Sequence, residues 1–432
     1  MSTPLKPEQW LYLLFVVTLP FASVLELAGY TGSVQIADVV LLLTGLVWLV
    51  LLLARKRNIV WSKAYIFLAA YAVAVSLSTI FSARPEQSVV KLAGKFYLIA
   101  IVVLTINIVT SLDLLKKTLF AWLAGSGVVI LLSLAGIALF YLGLTDASKN
   151  LVLHPIFGSL PPGNYPRIEG FFNYPSLLCN YLSITAAFLV LSVSAGWLKW
   201  HFAVPFGICL LIVDAFTLTP GLGGLFLAGG IFVWFRGRSS TSRRLALAGG
   251  IAAAAIFLFA ASVTLFSHNP DGTRVPISAG EITRSHRAEA WRTSFQSFLQ
   301  NPTLGRGIDM PVAESRFVDP SGNQQLLTDA HNIYLSVLAE SGLVGFVSLT
   351  VFAAFLFISL VRLRSDNGTI ALVASSLLLA LLDSLLYQGL TGSYEDTRHL
   401  WVLFGIAGAF IALRNGSGLS DEQNIVFPPR FC

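Results

Sequence analysis

A histidine and an asparagine stand where a membrane-length apolar run begins: "TDAHNIYLSVLAESGLVGF" starts at Thr328 and carries His331 and Asn332. Crossing a bilayer requires neither side chain. His331 follows Asp329 and opens an amphipathic turn whose face Tyr334, Leu335 and Leu338 continue, so its imidazole is expected to be half-buried. With an unperturbed pKa of about 6.5, a histidine there can take a proton from a reacting hydroxyl. Asn332 has two readings: it orients a neighbouring group, or it begins the helix with a side-chain hydrogen bond.

Upstream, the basic residues of one long polar stretch are all arginine: Arg274, Arg284, Arg287, Arg292, Arg306 and Arg316. A guanidinium is always charged, and its planar fork matches phosphate oxygens two at a time, which an ammonium cannot do. The competing reading pairs these arginines with the acids of the same stretch, among them Glu289, Glu314 and Asp329. In "TRSHRAEAWRTSFQSFL" the positions Arg284, Arg287, Trp291, Phe295 and Phe298 recur three or four apart, putting two arginines on a stripe with three aromatics. Such a stripe snorkels at lipid headgroups or faces a cavity with anionic contents. Arg167, in "PRIEGFFNYPSLLCNYL", is the lone arginine of a shorter polar stretch, set among turn formers that can aim it; a salt bridge to Glu169 is the alternative.

A membrane must position these groups. Of 432 residues, 55% are hydrophobic and only 12% charged, whereas soluble domains carry about 25% charged residues. Apolar runs begin near residues 10, 36, 62, 92, 118, 177, 203, 221, 245, 341, 368 and 399. At roughly 20 residues per crossing, this predicts an all-α integral membrane protein with about 12 transmembrane helices. Basic clusters follow the second, fourth, sixth, eighth and tenth runs: Arg55 to Arg57, Lys116 with Lys117, Lys199, "RGRSSTSRR", and Arg362 to Arg364. Positive charge marks cytoplasmic loops, so both termini are expected in the cytoplasm and the polar stretches at about 144–176 and 268–330 on the outer face. Residues 1–414 then form one polytopic domain, and 415–432 a short cytoplasmic tail.

The helical pattern in the larger outer loop stops at Asn301-Pro302. The start "MSTPLKPEQW" has neither a basic lead nor a cleavage site after its first apolar run, so that run reads as a retained helix. Cys179, Cys209 and Cys432 are too scattered to give a disulfide framework or a metal spacing. No glycine-rich phosphate loop, metal-ligand pattern or acidic cation-binding pair is present, so no metal and no cofactor are expected. Net charge of +6 is accounted for by loop topology and does not imply nucleic acid. Arginine must then neutralise phosphate, work that a metal ion otherwise performs.

"HNIYLSVLAESGLVG", preceded by "RAEAWRTSFQSFLQNPTLGRG" and flanked by "RIEGFFNYPSLLCNYL" and "DTRHLWVLFGIAGAF", resembles the O-antigen ligase and polymerase superfamily of bacterial inner-membrane glycosyltransferases. The resemblance covers Arg167 to the last span. It implies a GT-C-like helical fold whose large periplasmic loop holds helices over a cavity. It also implies an undecaprenyl-diphosphate-linked glycan donor, a metal-free transfer, and an acceptor hydroxyl on lipid A-core. The family's histidine falls on His331, the arginine and tryptophan of its loop helix on Arg287 and Trp291, and its first-loop arginine on Arg167. One departure stands out. Where the family often has an arginine, "TLTPGLGGLF" has Leu222, so either another cation, Arg284 or Arg398, compensates, or the donor binds differently, or activity is reduced.

On this resemblance the leading reading is an O-antigen ligase, with His331 as general base and Arg167, Arg287 and Arg284 on the diphosphate. Asn332, Asp329, Trp291, Tyr334 and Arg398 are candidate supports. An O-antigen polymerase and a protein O-oligosaccharyltransferase are the alternatives within the superfamily. A membrane transporter is the alternative from another class, with Asp214 and Asp383 as its intramembrane acids.

Overall fold

The computed structural model describes residues 4–22, 34–146, 150, 152–154, 166–219, 221–236, 240–265, 275–277, 280–282, 287–318, 324–364, 368–390 and 392–415. Most of them are helical. The first half comprises α1 (Pro7–Thr18), α2 (Ile36–Leu53), α3 (Ala64–Ile80), α4 (Pro85–Ile108), α5 (Leu112–Tyr141) and α6 (Pro175–Ser194). The second half comprises α7 (Trp200–Phe216), α8 (Gly221–Arg236), α9 (Ser240–Leu265), α10 (Arg287–Gln300), α11 (Ile333–Leu363), α12 (Thr369–Leu381) and α13 (Arg398–Asn415). A π-helical turn, Leu382–Tyr387, and a 3-10 turn, Gln388–Leu390, continue α12.

Among the described residues, six helices are long and apolar enough to cross a membrane: α2, α4, α5, α6, α11, and α12 with its continuation. The helices α3 and α7 are shorter apolar ones. Starts follow local chemistry: proline opens α1, α4 and α6, where a missing N–H leaves no helical bond unmade. Ser111 caps α5 by accepting the Leu114 N–H at 3.2 Å. Inside the bundle, polar side chains find partners, as Trp122 Nε1 does by donating to Thr185 Oγ1 at 2.9 Å.

Contacts sort the helix ends. Towards one end, Arg398 of α13 meets Asp38 of α2, Asp396 meets Lys91 and Lys95 of α4, and Ser78 of α3 donates to the Glu340 carbonyl of α11. At the other, Arg57 pairs with Glu8 and Lys116 lies over Trp197. This up-and-down alternation gathers Arg57 and Lys116 away from His331. The fold is all-α apart from two short antiparallel hairpins between α9 and α11, β1 (Val275–Ile277) with β2 (Gly280–Ile282), and β3 (Ser315–Val318) with β4 (Gln324–Leu327), among the described residues.

The continuous helix α11 is broken at Gly342, where φ is 63° and ψ is −166°, a region open essentially to glycine alone. The break is filled by the chain that follows α10. Leu343 and Val344 N–H groups donate to the carbonyls of Pro302 and Thr303, and the Ala339 and Glu340 carbonyls accept from Arg306 and Gly307. Both sides of the break thus regain the bonds that a straight helix would have made internally. The first arm of α11 carries His331 at its mouth, and the segment filling the break follows α10, so this backbone docking helps set Arg287 and His331 relative to each other.

A Cβ at Gly342 would collide with the Thr303 backbone as well as occupy a strained φ. Gly342→Ala is expected to destabilise the protein by about 2–4 kcal/mol, combining backbone strain and overpacking. Gly94→Ala, in α4 with open space around it, is the control that should leave thermal unfolding in detergent near that of the parent. Equal unfolding temperatures for the two variants would contradict the role given to the break.

Candidate active site

His331 lies in a left-handed turn, with φ 47°. Asp329 Oδ1 accepts the His331 backbone N–H at 2.8 Å and so stabilises this turn. Asn332 is the N-cap of α11, its Oδ1 accepting from Tyr334 N at 3.0 Å and Leu335 N at 3.1 Å. Its Nδ2 donates to the Leu390 carbonyl at 3.2 Å, so of its two readings the helix start is the one the geometry favours. Tyr334 reaches the same neighbourhood, donating its hydroxyl to the Leu385 carbonyl at 2.9 Å.

Arg287 is the first residue of α10, where unsatisfied backbone N–H groups already concentrate positive potential. Burial lowers its proton affinity, while Tyr394 and Asp329 nearby raise it. His331 is half-buried; burial lowers its pKa, Asp329 opposes the shift, and Arg287 adds to it, leaving the ring below the ordinary histidine value. A neutral imidazole beside a guanidinium is the protonation state a general base needs at neutral pH. Tyr394, fully buried and hydrogen-bonded to Ser176 of α6, joins this group; burial raises its phenol pKa.

The inward face of α10 differs from the expected stripe. Ala290, Ser294 and Ser297 are buried below Arg287, and Phe295 faces outward with 47% exposure. Small residues let α10 pack closely on α11, so the arginine shares its face with small residues, and of the three aromatics Trp291 and Phe298 are half-buried while Phe295 is exposed. Trp291 is half-buried one turn below Arg287. Arg284 and Arg274 lie outside the described residues. Self-pairing holds for Arg292 with Glu289 and for Arg316 with Glu314, both exposed, and Arg306 donates to the Pro311 carbonyl.

Arg167 donates through Nε to the Thr217 carbonyl at 3.1 Å, capping the end of α7. Glu169, its expected alternative partner, is instead 2.6 Å from His154 Nδ1. The guanidinium of Arg167 therefore belongs to the turn that leads into α8, whose second residue is Leu222. Arg398 is clamped by Asp38 through Nε at 2.5 Å and Nη2 at 2.7 Å, over the Tyr97 ring. The glycines flanking Leu222 have a packing reason. Cβ atoms at Gly221, Gly223 and Gly224 would strike Cys179, Tyr387 and Asp383, so α8 lies hard against α6 and the π-helical turn.

Below the site runs a buried polar chain. His399 Nε2 pairs with Asn180 Oδ1 at 2.8 Å, and Asn180 Nδ2 donates to Gln388 Oε1 at 3.1 Å. Gln388 Nε2 in turn donates to Ser183 Oγ at 2.9 Å and Asp383 Oδ2 at 2.8 Å. Asp214 is buried in α7 near the Cys179 thiol. Asp383 thus belongs to a network joining α6, α13 and the π-helical turn. At the bundle end, burial alone would raise the Asp396 carboxyl, but Lys95 and Lys91 outweigh it and hold it down at about 2.

An apolar groove of about 310 Å³ runs along α11, lined by Ile333, Tyr334, Val337, Phe346, Phe357 and Leu385 among others. Sequence reasoning named Arg398 in the shorter outer loop but missed Ser393 and Tyr394. The available signal was the density of polar residues in "TGSYEDTRH" directly before an apolar run.

Arg287 and His331, both half-buried, are thus brought together at the starts of two helices that are joined through one break. Residues 182–350 match the O-antigen ligase family. The match covers less than half of the chain but includes Asp214, Leu222, Arg287 and His331, and it supports the superfamily resemblance read from the motifs. No curated protein matches the chain. An O-antigen ligase-like segment points to a glycosyltransferase-like membrane enzyme handling, in general, a lipid-linked glycan donor and a lipid acceptor. Arg167 and Tyr394 lie outside the matched segment and are attached to it by the fold.

Diethyl pyrocarbonate acylates only the neutral ring, so the pH dependence of His331 modification, read by peptide mass spectrometry, reports its pKa. The midpoint is expected below about pH 6.5. Asp329→Asn removes the charge that favours the imidazolium and should move it further down; Arg287→Gln removes the opposing charge and should move it up. Shifts in the reverse directions would mean that these three side chains do not share one electrostatic site.

Proposed function

We propose that this chain is an O-antigen ligase, transferring polysaccharide from undecaprenyl-diphosphate to a sugar hydroxyl of lipid A-core at the periplasmic face of the bacterial inner membrane, with both termini cytoplasmic and about twelve crossings. The observation that carries the reading is the pairing of His331, half-buried with its pKa lowered, with Arg287, half-buried at a helix N-terminus, inside a segment that matches the O-antigen ligase family.

In this mechanism the acceptor hydroxyl gives its proton to the His331 ring as its oxygen forms a bond to the anomeric carbon. The bond from that carbon to the diphosphate oxygen breaks, and the diphosphate leaves with the electron pair. Attack opposite the leaving group inverts the anomeric configuration. Arg287 stabilises the charge that develops on the departing diphosphate. Arg167, at the α7–α8 turn beside Leu222, supplies a second cation, compensating in place for the arginine the family often has there. Arg284 belongs to the same proposal. Asp329, Asn332 and Tyr334 hold the histidine turn, and the apolar groove along α11 suits the polyprenyl part of the donor.

The test combines purified protein, glycan-loaded undecaprenyl diphosphate and lipid A-core in the presence of a chelator. Glycan appearing on lipid A-core supports the ligase. Elongation on the carrier selects a polymerase, and absence of any glycan transfer favours a transporter. His331→Ala is expected to lower transfer by about 10²–10⁴-fold, the range of a positioned base, with unfolding temperature unchanged. Arg287→Lys should also lose most turnover, since an ammonium does not reproduce the fork. Normal ligation by the His331→Ala protein would overturn the assignment.

A further inference from the structure

The left-handed backbone at His331 needs something to hold it. Non-glycine residues adopt this conformation at a cost of roughly 1 kcal/mol or more, and without a constraint the turn would relax and the ring would point elsewhere. Asp329 provides the local constraint, since its Oδ1 accepts the His331 N–H at 2.8 Å. That same oxygen is also reached from a distant part of the chain: Ser393 Oγ donates to it at 2.5 Å.

Ser393 lies in the polar loop between the 3-10 turn and α13, and its hydroxyl is 3.3 Å from Ser336 Oγ in the first turn of α11. Ser336 Oγ is itself 3.5 Å from Asp329 Oδ1. The carboxylate is thus held from the loop before α11, from α11 itself and from the last outer loop. Two other links from this region reach α11, Asn332 to the Leu390 carbonyl and Tyr334 to the Leu385 carbonyl, but both use backbone acceptors and neither touches Asp329. Ser393 is the side chain through which the last outer loop grips the acid of the histidine turn.

We propose that Ser393 is a positioning residue for glycosyl transfer. Its hydroxyl fixes Asp329, Asp329 fixes the left-handed turn, and the turn presents the His331 ring to the acceptor. The role rests on His331 acting as the base. It does not require Ser393 to meet either substrate, so turnover and substrate binding should separate when it is changed.

The experiment measures transfer at saturating donor and acceptor, with KM for each, in Ser393→Ala, Ser393→Thr and His331→Ala proteins beside the parent. Ser393→Ala is expected to lower kcat about tenfold, the effect of one hydrogen bond to a charged group, with both KM values within about twofold and an unchanged unfolding temperature. Ser393→Thr keeps the hydroxyl and should restore most of the rate. Parental kcat in Ser393→Ala while His331→Ala is inactive would overturn this inference alone. So would a rise in KM with kcat preserved, a fall in unfolding temperature that parallels the lost rate, or failure of threonine to rescue. Full transfer by His331→Ala would remove the underlying reading, and this role with it.

Discussion

The break in α11 at Gly342, and the backbone that fills it, is the constraint on which the rest of the site depends. An uninterrupted helix would bury its own hydrogen bonds and offer nothing for the outer loop to hold. With glycine in a conformation closed to other residues, the helix instead exposes two N–H groups and two carbonyls, and the chain at 302–307 completes all four. Unmet backbone groups near a bilayer are expensive, so this docking is strongly favoured and has one register. It helps fix α10 against the mouth of α11 and thereby the distance between a cation and a base that lie forty-four residues apart.

Polar groups elsewhere serve the same alignment. The chain from the π-helical turn to α13 is bound to α11 and the turn before it through Tyr334, Asn332 and Asp329, to α4 through Asp396 with Lys91 and Lys95, and to α6 through Tyr394. Lys95 is almost fully buried, where an unpaired ammonium would be very unfavourable; its partner Asp396 is therefore part of the same decision. The π-helical turn below carries Asp383, and the glycine-rich start of α8 leaves room for it. Of the two intramembrane acids that could mark a transport pathway, Asp383 accepts from Gln388 within this network, and Asp214 is buried at the end of α7.

Charge is distributed unevenly among the outer arginines. Those on the surface pair with neighbouring acids or carbonyls, Arg398 is held by Asp38, and Arg167 closes the end of α7. Arg287 is half-buried near a histidine whose proton affinity it lowers. This is the electrostatic arrangement of a site where an anion and a proton acceptor must coexist. The leucine at 222 does not leave that region without a cation, because the chain at 166–168 lays Arg167 on the adjacent turn.

What the sequence determined by itself was periodic or local. Apolar runs long enough for a bilayer, prolines at helix starts, the stop at Asn301-Pro302, and the capping asparagine at 332 are short-range signals, and each reappears as a helix or a helix end. His331, Arg287 and Arg167 were also legible, because a titratable or forked cationic side chain beside an apolar run has few uses and their order fits a known family. Partnership was not legible. That Arg398 would be spent on Asp38, that Glu169 would take His154, that Ala290, Ser294 and Ser297 would be the buried residues of α10, and that Ser393 would reach Asp329 all depend on contacts between residues far apart in the chain. Only the tertiary structure decides these, since the energy of a buried charge or hydroxyl is set by which group the fold brings within about 3 Å of it.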